Sequence, residues 1–229
     1  MKAVLRAWRD LAPGIRHFEF EVPGTAAFDF TPGQFISVHQ EIEGKPITRA
    51  YSIASAPEGN RFALCLNLVE GGRVSPRLFA LQAGGEIDIS APLGYFVMRA
   101  APADSLLIAT GTGIAPMRAM LPGALRQHPD KQFTLLFGTR VAESILYADE
   151  FVALERVHTN FHFWPTLSRA GAGWTGRRGH VQQHLEEALG ARRDLDVYVC
   201  GLRAMVDDVR ARLKDMGFDR KQLITERYD

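Results

Sequence analysis

The sequence predicts two successive domains of different class, an antiparallel β domain over residues 1–100 and a doubly wound parallel α/β sheet over residues 101–229. Two observations indicate this division. Apolar and polar residues alternate with period two in the first part. Short apolar segments alternate with helical patterns in the second part, as a parallel sheet with crossover helices requires. The pattern changes at residues 100–103.

Period two is clearest in three segments of the first domain. They are residues 18–22, 62–68 and 87–89. Pairs of turn-forming residues separate the apolar segments, at residues 23–24, 32–33, 71–72 and 84–85. The pattern predicts a small barrel or sandwich. After the third of these pairs, residues 73–81 indicate one short helix.

The second domain is predicted to contain five strands and four helices. The strands are predicted over residues 106–109, 133–137, 161–167, 197–200 and 223–225. The helices are predicted over residues 117–126, 147–155, 181–189 and 203–216. Gly217 is placed to end the last helix. Pro122 removes a backbone donor inside the first helix, and we therefore expect a kink there.

Composition and charge exclude several classes of protein. The chain is 46% hydrophobic and 23% charged, and its net charge of +1 gives no reason to expect a nucleic acid or an anionic membrane as partner. We see neither a signal peptide nor an apolar run of transmembrane length, and expect a cytoplasmic location. Cys65 and Cys200 fit reduced thiols. Two cysteines are too few for a [2Fe–2S] cluster, which needs four.

Residues 105–120 carry the clearest ligand signal. An apolar strand ends at Ala109, Gly111 and Gly113 flank Thr112, and Pro116 suits the first turn of a helix. Such a unit points backbone N–H groups and the positive end of a helix dipole at one place, which suits a pyrophosphate. It departs from the dinucleotide fingerprint, because Pro116 stands where the third glycine would.

Two pairs of histidines have the spacing of a zinc pair on one helix face. They are His158 with His162 and His180 with His184. No acidic or cysteine ligand stands beside them, and the H-E-x-x-H motif is absent from the sequence. We therefore interpret them as solvated or capping histidines and predict no metal.

Five segments, in this order, resemble the ferredoxin–NADP⁺ reductase superfamily, and most of all its plant-type reductases. They are RAYSIAS (49–55), GGRVSPRL (71–78), TGTGIAP (110–116), LFGTR (136–140) and VYVCGL (197–202), and Glu226-Arg227-Tyr228 follows near the end. The resemblance implies a six-stranded antiparallel β-barrel that binds FAD and a parallel α/β domain that binds NAD(P)H. The two cofactor rings would meet in the cleft between these domains.

The resemblance also implies a flavin site in the first domain. Arg49 and Tyr51 leave one face of a strand, so Arg49 would pair with the pyrophosphate while Tyr51 stacks on the isoalloxazine. Ser52 would reach the flavin N5 edge. The other residues expected here are Ala50, Gly71, Gly72, Val74 and Ser75. Without the resemblance, a surface arginine and a core tyrosine are the preferred interpretation of Arg49 and Tyr51, and a hairpin turn explains Gly71 and Gly72 about as well as a phosphate site does.

A nicotinamide site is implied in the second domain. Cys200 would touch the nicotinamide, although a buried cysteine is more often a small apolar residue. Glu226 and Tyr228 match an acid two residues before an aromatic that covers the flavin. Asp229 follows Tyr228, however, and a frayed polar terminus is the alternative. The expected catalytic residues are Ser52, Cys200, Glu226 and Tyr228. The further nucleotide-binding residues are Thr112, Gly113, Pro116, Thr139, Arg140, Ser168, Arg169, Gly201 and Met205.

Cations after the second and third strands of this domain favour NADPH over NADH. A 2′-phosphate needs positive charge, and the chain offers Arg140 and Ser168-Arg169, with Arg177 and Arg178 close behind. The Ser-Arg pair resembles the NADPH-selecting element of plant-type enzymes. The glycine-rich residues 173–179 resemble NADH-using oxygenase reductases instead, so NADH stays open.

The expected activity is hydride transfer between NADPH and FAD, with electrons passing to a separate ferredoxin or flavodoxin. We expect a monomer. A basic patch around Arg73, Arg77 and Arg99 would steer an acidic carrier. One alternative is an NADH-dependent reductase of an oxygenase, a haem protein or free flavin. Another is an FAD electron-relay subunit that is inactive alone.

Overall fold

The computed structural model describes residues 1–228, which form two six-stranded sheets. The first sheet contains β1 (Lys2–Ala12), β2 (Ile15–Glu21), β3 (Phe35–Ile42), β4 (Lys45–Ser52), β5 (Arg61–Asn67) and β6 (Glu86–Ile89). These strands are antiparallel in the order β4-β3-β6-β1-β2-β5. A bridge between Ile53 and Leu64 joins the two outer strands, and the sheet closes into a barrel. The predicted antiparallel barrel is confirmed.

The barrel interior holds the alternating apolar residues that the sequence indicated. Phe18, Phe20 and Phe62 pack there, and Leu78 of the short helix α1 (Ser75–Ala80) enters the same cluster. Strand β5 departs from simple alternation, because five consecutive residues are buried. Ala63 and Cys65, on its outer face, pack against the second domain. Burial against a neighbouring domain therefore hides the polar face that period two predicts.

The barrel closes just beyond the end of β4. This strand pairs with β3 along its whole length, whereas contact with β5 comes from the two residues after it, because Ile53 forms the bridge and the Ala54 N–H donates to Ala63 O at 2.8 Å. Strand β4 itself forms an open seam. Backbone groups and side chains along this seam are accessible to a ligand.

The second sheet is parallel and lies among helices. Its elements are β7 (Ser105–Thr110), α2 (Ile114–Gln127), β8 (Phe133–Thr139), α3 (Ala148–Val157), β9 (Phe161–Leu167), β10 (Arg177–Arg178), α4 (Leu185–Leu189), β11 (Asp196–Leu202), α5 (Arg203–Asp215) and β12 (Leu223–Tyr228). The strand order is β10-β9-β8-β7-β11-β12. The predicted doubly wound sheet is confirmed. The two-residue β10 was not predicted, and a 3₁₀ turn (Val181–His184) precedes α4 where one helix was expected. Helix α2 continues through Pro122.

The order of strands reverses between β7 and β11, and in open α/β sheets ligands bind at the carboxyl end of such a point. The loops after these strands touch each other. A Cβ added to Gly113 would lie 2.4 Å from the carbonyl oxygen of Cys200, and one added to Gly201 would lie 2.4 Å from Thr110 Oγ1. Both glycines are therefore required by close packing between the loops.

The segment between the sheets is fixed to the second one. Arg99 forms an ion pair with the buried Asp196, and its backbone N–H donates to the Tyr198 hydroxyl at 3.1 Å. This use of the Arg99 guanidinium corrects the expectation that it belongs to a free basic patch. The boundary predicted between residues 100 and 101 falls in this segment and stays a prediction. Within residues 1–228, no helix has the length and apolar character needed to cross a membrane.

Candidate active site

The four expected catalytic side chains meet where the two domains join. Ser52 ends β4 of the barrel, whereas Cys200 in β11 and Glu226 in β12 are register partners in the other sheet. Ser52 Oγ donates to Glu226 Oε1 at 2.7 Å and accepts from the Tyr228 hydroxyl at 2.6 Å. Cys200 Sγ lies 3.9 Å from Glu226 Oε1. We refer to these four residues as the junction cluster.

Burial dominates the electrostatics of the junction cluster. It raises the pKa of Glu226, and hydrogen bonds from Ser52 and Cys200 oppose this effect. Burial also holds the pKa values of the Cys200 thiol and the Tyr228 phenol well above their usual range. Both groups therefore stay protonated near neutral pH. A thiolate nucleophile at Cys200 is disfavoured, because a thiol with a raised pKa is unreactive.

The protonation state of Glu226 controls the direction of the Ser52 hydroxyl. Ser52 has one proton to donate. While Glu226 is ionised, that proton points at the carboxylate and the Tyr228 hydroxyl donates to the Ser52 oxygen. When Glu226 carries a proton, it no longer requires a donor, and the Ser52 proton becomes available to another acceptor.

The flavin residues expected on β4 lie along its open seam. Arg49 and Tyr51 are the register partners of Val38 and Ile36, so they share one face as predicted. Arg49 is exposed and donates to its neighbour's carbonyl, Thr48 O, at 2.8 Å. It has no carboxylate partner within residues 1–228. Tyr51 is half-buried against the barrel core. A free guanidinium beside an aromatic ring suits an anionic group attached to a planar ligand. Ala50 is exposed on the opposite face of the strand.

The glycine loop before α1 is both a turn and a helix start. Gly71 has a φ of +69°, and the Gly72 N–H donates to Val69 O at 2.9 Å. Ser75 Oγ accepts from the Val69 N–H at 3.0 Å, so this hydroxyl organises the loop. Val74 is buried. The two interpretations of Gly71 and Gly72, a turn and a loop that leads into a helix, are therefore compatible.

The crevice at the point where the strand order reverses contains an unpaired polar atom of a residue outside the predicted site. Thr110 Oγ1 is buried and has no hydrogen-bond partner within residues 1–228. Thr112 is buried in the 3₁₀ turn before α2, and Pro116 is buried in the first turn of that helix. Met205 reaches the same place, since its methyl carbon would lie 2.8 Å from a Cβ at Gly201. An orphaned buried hydroxyl fits a site completed by a hydrogen-bonding ligand.

Two of the four arginines that the sequence offers to the nucleotide have guanidinium groups without a partner among residues 1–228. The Ser168 N–H donates to Thr139 O at 3.0 Å, and the Arg169 N–H donates to Arg140 O at 2.8 Å. These contacts place Arg140 and Arg169 side by side after β8 and β9, where both are exposed and no carboxylate of the described residues pairs with them.

Arg177 and Arg178 are used within the protein, which corrects their expected availability. Arg177 pairs with Glu187 Oε1 at 2.6 Å, and its guanidinium carbon lies 3.6 Å from the centre of the Trp164 ring. Arg178 donates to the carbonyls of residues 170, 171 and 174. These bonds hold the glycine-rich loop whose sequence resembles that of NADH-using oxygenase reductases.

The second histidine pair supports local structure. His180 caps the 3₁₀ turn through a reciprocal bond with Gln183, and His184 Nε2 lies 3.0 Å from both Thr166 Oγ1 and Arg178 O. In residues 1–228, His, Cys, Asp and Glu form no group of three or more that could hold a metal ion.

Comparisons with known proteins find a separate family match for each of the two domains. The family model described as the oxidoreductase FAD-binding domain matches residues 2–98, and the oxidoreductase NAD-binding domain matches residues 107–211. Ferredoxin–NADP reductase B of Sorangium cellulosum is 41% identical over 237 residues, which cover 100% of this chain and 97% of that protein. The chain belongs to the ferredoxin–NADP⁺ reductase superfamily.

Other members of the superfamily have longer chains. Protein RfbI of Salmonella typhimurium is 30% identical, and the glycine betaine monooxygenase reductase subunit of Pseudomonas aeruginosa is 27% identical. The chain covers 61% and 63% of their lengths. A ferredoxin NADP⁺ reductase from Neisseria gonorrhoeae, solved with bound FAD and NADP, has a TM-score of 0.86 at 23% identity over 99% of this chain and 98% of that one. This likeness shows the fold.

Membership in the superfamily confirms the predicted cofactors, FAD for the barrel and NADP(H) for the α/β domain, with NADH still open. The structure fits both. The seam carries the unpaired Arg49, and the crevice carries the unpaired Thr110 hydroxyl. The chain is therefore an oxidoreductase that moves electrons between a nicotinamide nucleotide and an electron-transfer partner.

No motif in the sequence indicates the contacts that join the two domains. The Tyr147 hydroxyl is hydrogen-bonded to Nδ1 of the barrel residue His17 at 3.0 Å. Both side chains are buried. Burial, aided by the charges of Arg9 and Arg118, lowers the pKa of His17 to about 3. Neither residue lies in a motif, and only the packing of the domains shows their relation.

The lowered pKa of His17 predicts that the folded protein loses stability as the pH falls. Unfolded His17 binds a proton below pH 6.5 but folded His17 stays neutral to about pH 3, so this residue lowers the unfolding free energy as pH falls through that interval. Between pH 7 and pH 5 the loss is about 2 kcal/mol. Urea unfolding at both pH values checks it. His17→Gln should lose about 2 kcal/mol less than the parent, and equal losses in the two proteins would contradict the assignment.

Proposed function

We propose that this protein is an FAD-dependent ferredoxin or flavodoxin–NADP⁺ reductase. The observation that carries the proposal is the junction cluster, because it joins the last residue of the barrel seam to the crevice of the nucleotide domain through hydrogen bonds of 2.6 and 2.7 Å. The reaction requires a flavin and a nicotinamide to meet at such a boundary.

FAD, when bound, supplies the chemistry that accepts a hydride and releases electrons singly or in pairs. Arg49 holds the pyrophosphate and Tyr51 stacks on the ring system. The loop from Gly71 to Ser75 would hold the phosphates, and Ser52 would offer its hydroxyl to the N5 edge. These assignments rest on the resemblance and on the position of each residue along the open seam.

The nucleotide domain supplies the complementary half of the site. Thr110, Thr112 and Gly113 line the crevice beside the phosphates, and Cys200 lies in contact with the nicotinamide. Tyr228 would cover the bound flavin, and its hydroxyl donates to Ser52 in this structure, so displacement of Tyr228 by the nicotinamide would require this hydrogen bond to break. Asp229 lies outside the described residues, and the effect of its charge on this movement stays a prediction.

A separate carrier protein receives the electrons. The Sorangium relative is a ferredoxin–NADP reductase, which supports a ferredoxin or flavodoxin. Arg73 and Arg77 remain the exposed cations of the predicted docking patch. The test is reduction of a purified ferredoxin and a flavodoxin with NADPH, compared with reduction of ferricyanide. Turnover of ferricyanide with no reduction of either carrier protein would contradict the assigned partner.

The glycine betaine monooxygenase reductase relative favours a second function, that of a reductase for an oxygenase component. If the chain is instead an electron-relay subunit, the isolated chain should show no turnover with any nucleotide or small acceptor. Turnover driven by NADH more efficiently than by NADPH would favour the oxygenase reductase.

Arg140 and Arg169 predict the nucleotide preference. A hydrogen bond to a charged group contributes about 1.5–3 kcal/mol, so Arg169→Gln should raise the KM for NADPH about tenfold to a hundredfold. The KM for NADH should change little, since NADH has no 2′-phosphate. Arg126→Gln is the matched control, because Arg126 is exposed in the last turn of α2, away from the nucleotide crevice. Equal changes for both nucleotides in Arg169→Gln would contradict this role.

A further inference from the structure

Arg118 joins the two domains at a place that matters for the proposed reaction. It lies in α2, the helix that begins directly after the glycine turn of the nucleotide crevice. Its Nη1 donates to Ala54 O at 2.6 Å. Ala54 is two residues beyond Ser52 in the barrel. One side chain therefore connects the helix of the nucleotide loop to the backbone next to the junction cluster.

Further contacts fix the guanidinium of Arg118. Its Nε donates to Glu150 Oε2 at 2.6 Å, and its central carbon lies 4.6 Å from the centre of the Tyr147 ring. Arg9 of the barrel binds the other oxygen of Glu150 at 2.7 Å. Glu150 is thus shared by one arginine from each domain. The planar guanidinium suits this arrangement, because it has donors in several fixed directions and a face that stacks on aromatic rings.

Tyr147 has an unfavourable backbone conformation at this interface. Its φ of +57° is left-handed, a conformation that a residue with a side chain rarely adopts. The ring is nevertheless buried beneath Arg118 and bonded to His17 across the interface. Such a backbone persists only where the surrounding contacts require it. The contacts with His17 and Arg118 therefore hold Tyr147 in this conformation at the interface.

We propose that Arg118 is a positioning residue for hydride transfer, acting through Ala54 and Tyr147 to set the separation between the nucleotide crevice and Ser52. The inference rests on the proposed function. Transfer requires reacting atoms about 3–3.5 Å apart, and a misplacement of about 1 Å can cost a factor of 100. Loss of Arg118 therefore affects the rate of transfer more than the binding of either cofactor.

Anaerobic stopped-flow of the FAD-loaded protein tests the proposal. Arg118→Gln should slow FAD reduction at saturating nucleotide by tenfold or more, while FAD content and the Kd of NADPH change less than twofold. Arg118→Lys keeps the charge and should recover part of the rate. Arg9→Gln is the matched control, since it removes the other ion pair of Glu150 but leaves the bond to Ala54; it should stay within twofold of the parent. Equal rates in the Arg118→Gln and Arg9→Gln proteins would overturn the proposal.

A distance measurement tests the same proposal without turnover. Spin labels placed by Glu86→Cys and Glu186→Cys, exposed residues of the two domains, report their separation, because Cys65 and Cys200 are buried. The distribution should broaden in Arg118→Gln and stay narrow in Arg9→Gln. An unchanged distribution in Arg118→Gln overturns the positioning role. If neither nucleotide reduces the parent protein, the proposed function fails, whereas this measurement still decides the role of Arg118.

Discussion

Protein carrying Arg49→Ala is expected to purify largely without FAD. The Arg49 guanidinium is exposed on the open seam and, among residues 1–228, donates only to a backbone carbonyl, so it is available to the flavin pyrophosphate. Removing a bidentate, charge-assisted contact of this kind costs about 3 kcal/mol, which corresponds to a hundredfold rise in the Kd of FAD. Titration of the flavin-free protein with FAD, followed by flavin fluorescence, measures this change.

Lys45→Ala is the matched control for Arg49. Lys45 lies on the same strand and, four residues away, on the same face, at a distance of about 13 Å along β4. Its replacement removes the same charge from the protein but should leave the Kd of FAD within twofold. A similar loss of affinity in both variants would show that general positive charge, and not Arg49, attracts the cofactor.

The second large effect concerns Glu226. Replacing it with glutamine, a neutral side chain of the same size, should keep FAD reduction at saturating NADPH fast above the pKa of Glu226, where the parent slows by up to about a hundredfold, the scale of positioned proton-donor effects. The parent rate should fall as pH rises through the pKa of Glu226, which burial holds above the usual carboxyl range. The physical reason is that an ionised Glu226 binds the Ser52 proton and withholds it from the flavin. In Glu226→Gln this pH dependence should disappear.

Two further variants separate the role of Glu226 from packing. Ser52→Ala should slow reduction and also remove the pH dependence, because the effect of Glu226 acts through that hydroxyl. Glu155→Gln, a neutralised carboxylate on α3 outside the junction cluster, should keep the parent profile. A pH profile that survives in Ser52→Ala would contradict the proposed link between the two residues.

The junction cluster shows what sequence reasoning can achieve here. Ser52 and Glu226 are 174 residues apart, and neither periodicity nor spacing relates them. Their proximity was expected only because several segments resemble one superfamily in the correct order. Residue patterns alone predicted the antiparallel and parallel sheets, since period two and strand–helix alternation depend on local sequence.

Contacts that depend on tertiary packing were not predictable in this way. Arg177 was counted among the cations near the nucleotide, but Trp164 and Glu187 occupy its guanidinium after folding. Period two over residues 62–68 puts Ala63 on the face opposite Phe62 and Leu64, and the second domain covers that face. Tyr147 lies in no motif, and its backbone is left-handed where its side chain enters the interface and contacts His17. In each case the neighbour that decides the role is distant in sequence.

Anaerobic mixing of the FAD-loaded protein with NADPH, and separately with NADH, tests the central claim most directly. Absorbance of the flavin near its visible maximum follows reduction in a stopped-flow instrument. Rapid bleaching by NADPH and slower bleaching by NADH is the predicted result. A flavin that neither nucleotide bleaches, or a protein that takes up no FAD, would contradict the account. Faster bleaching by NADH would instead place the chain with the oxygenase reductases and refute the role given to Arg169.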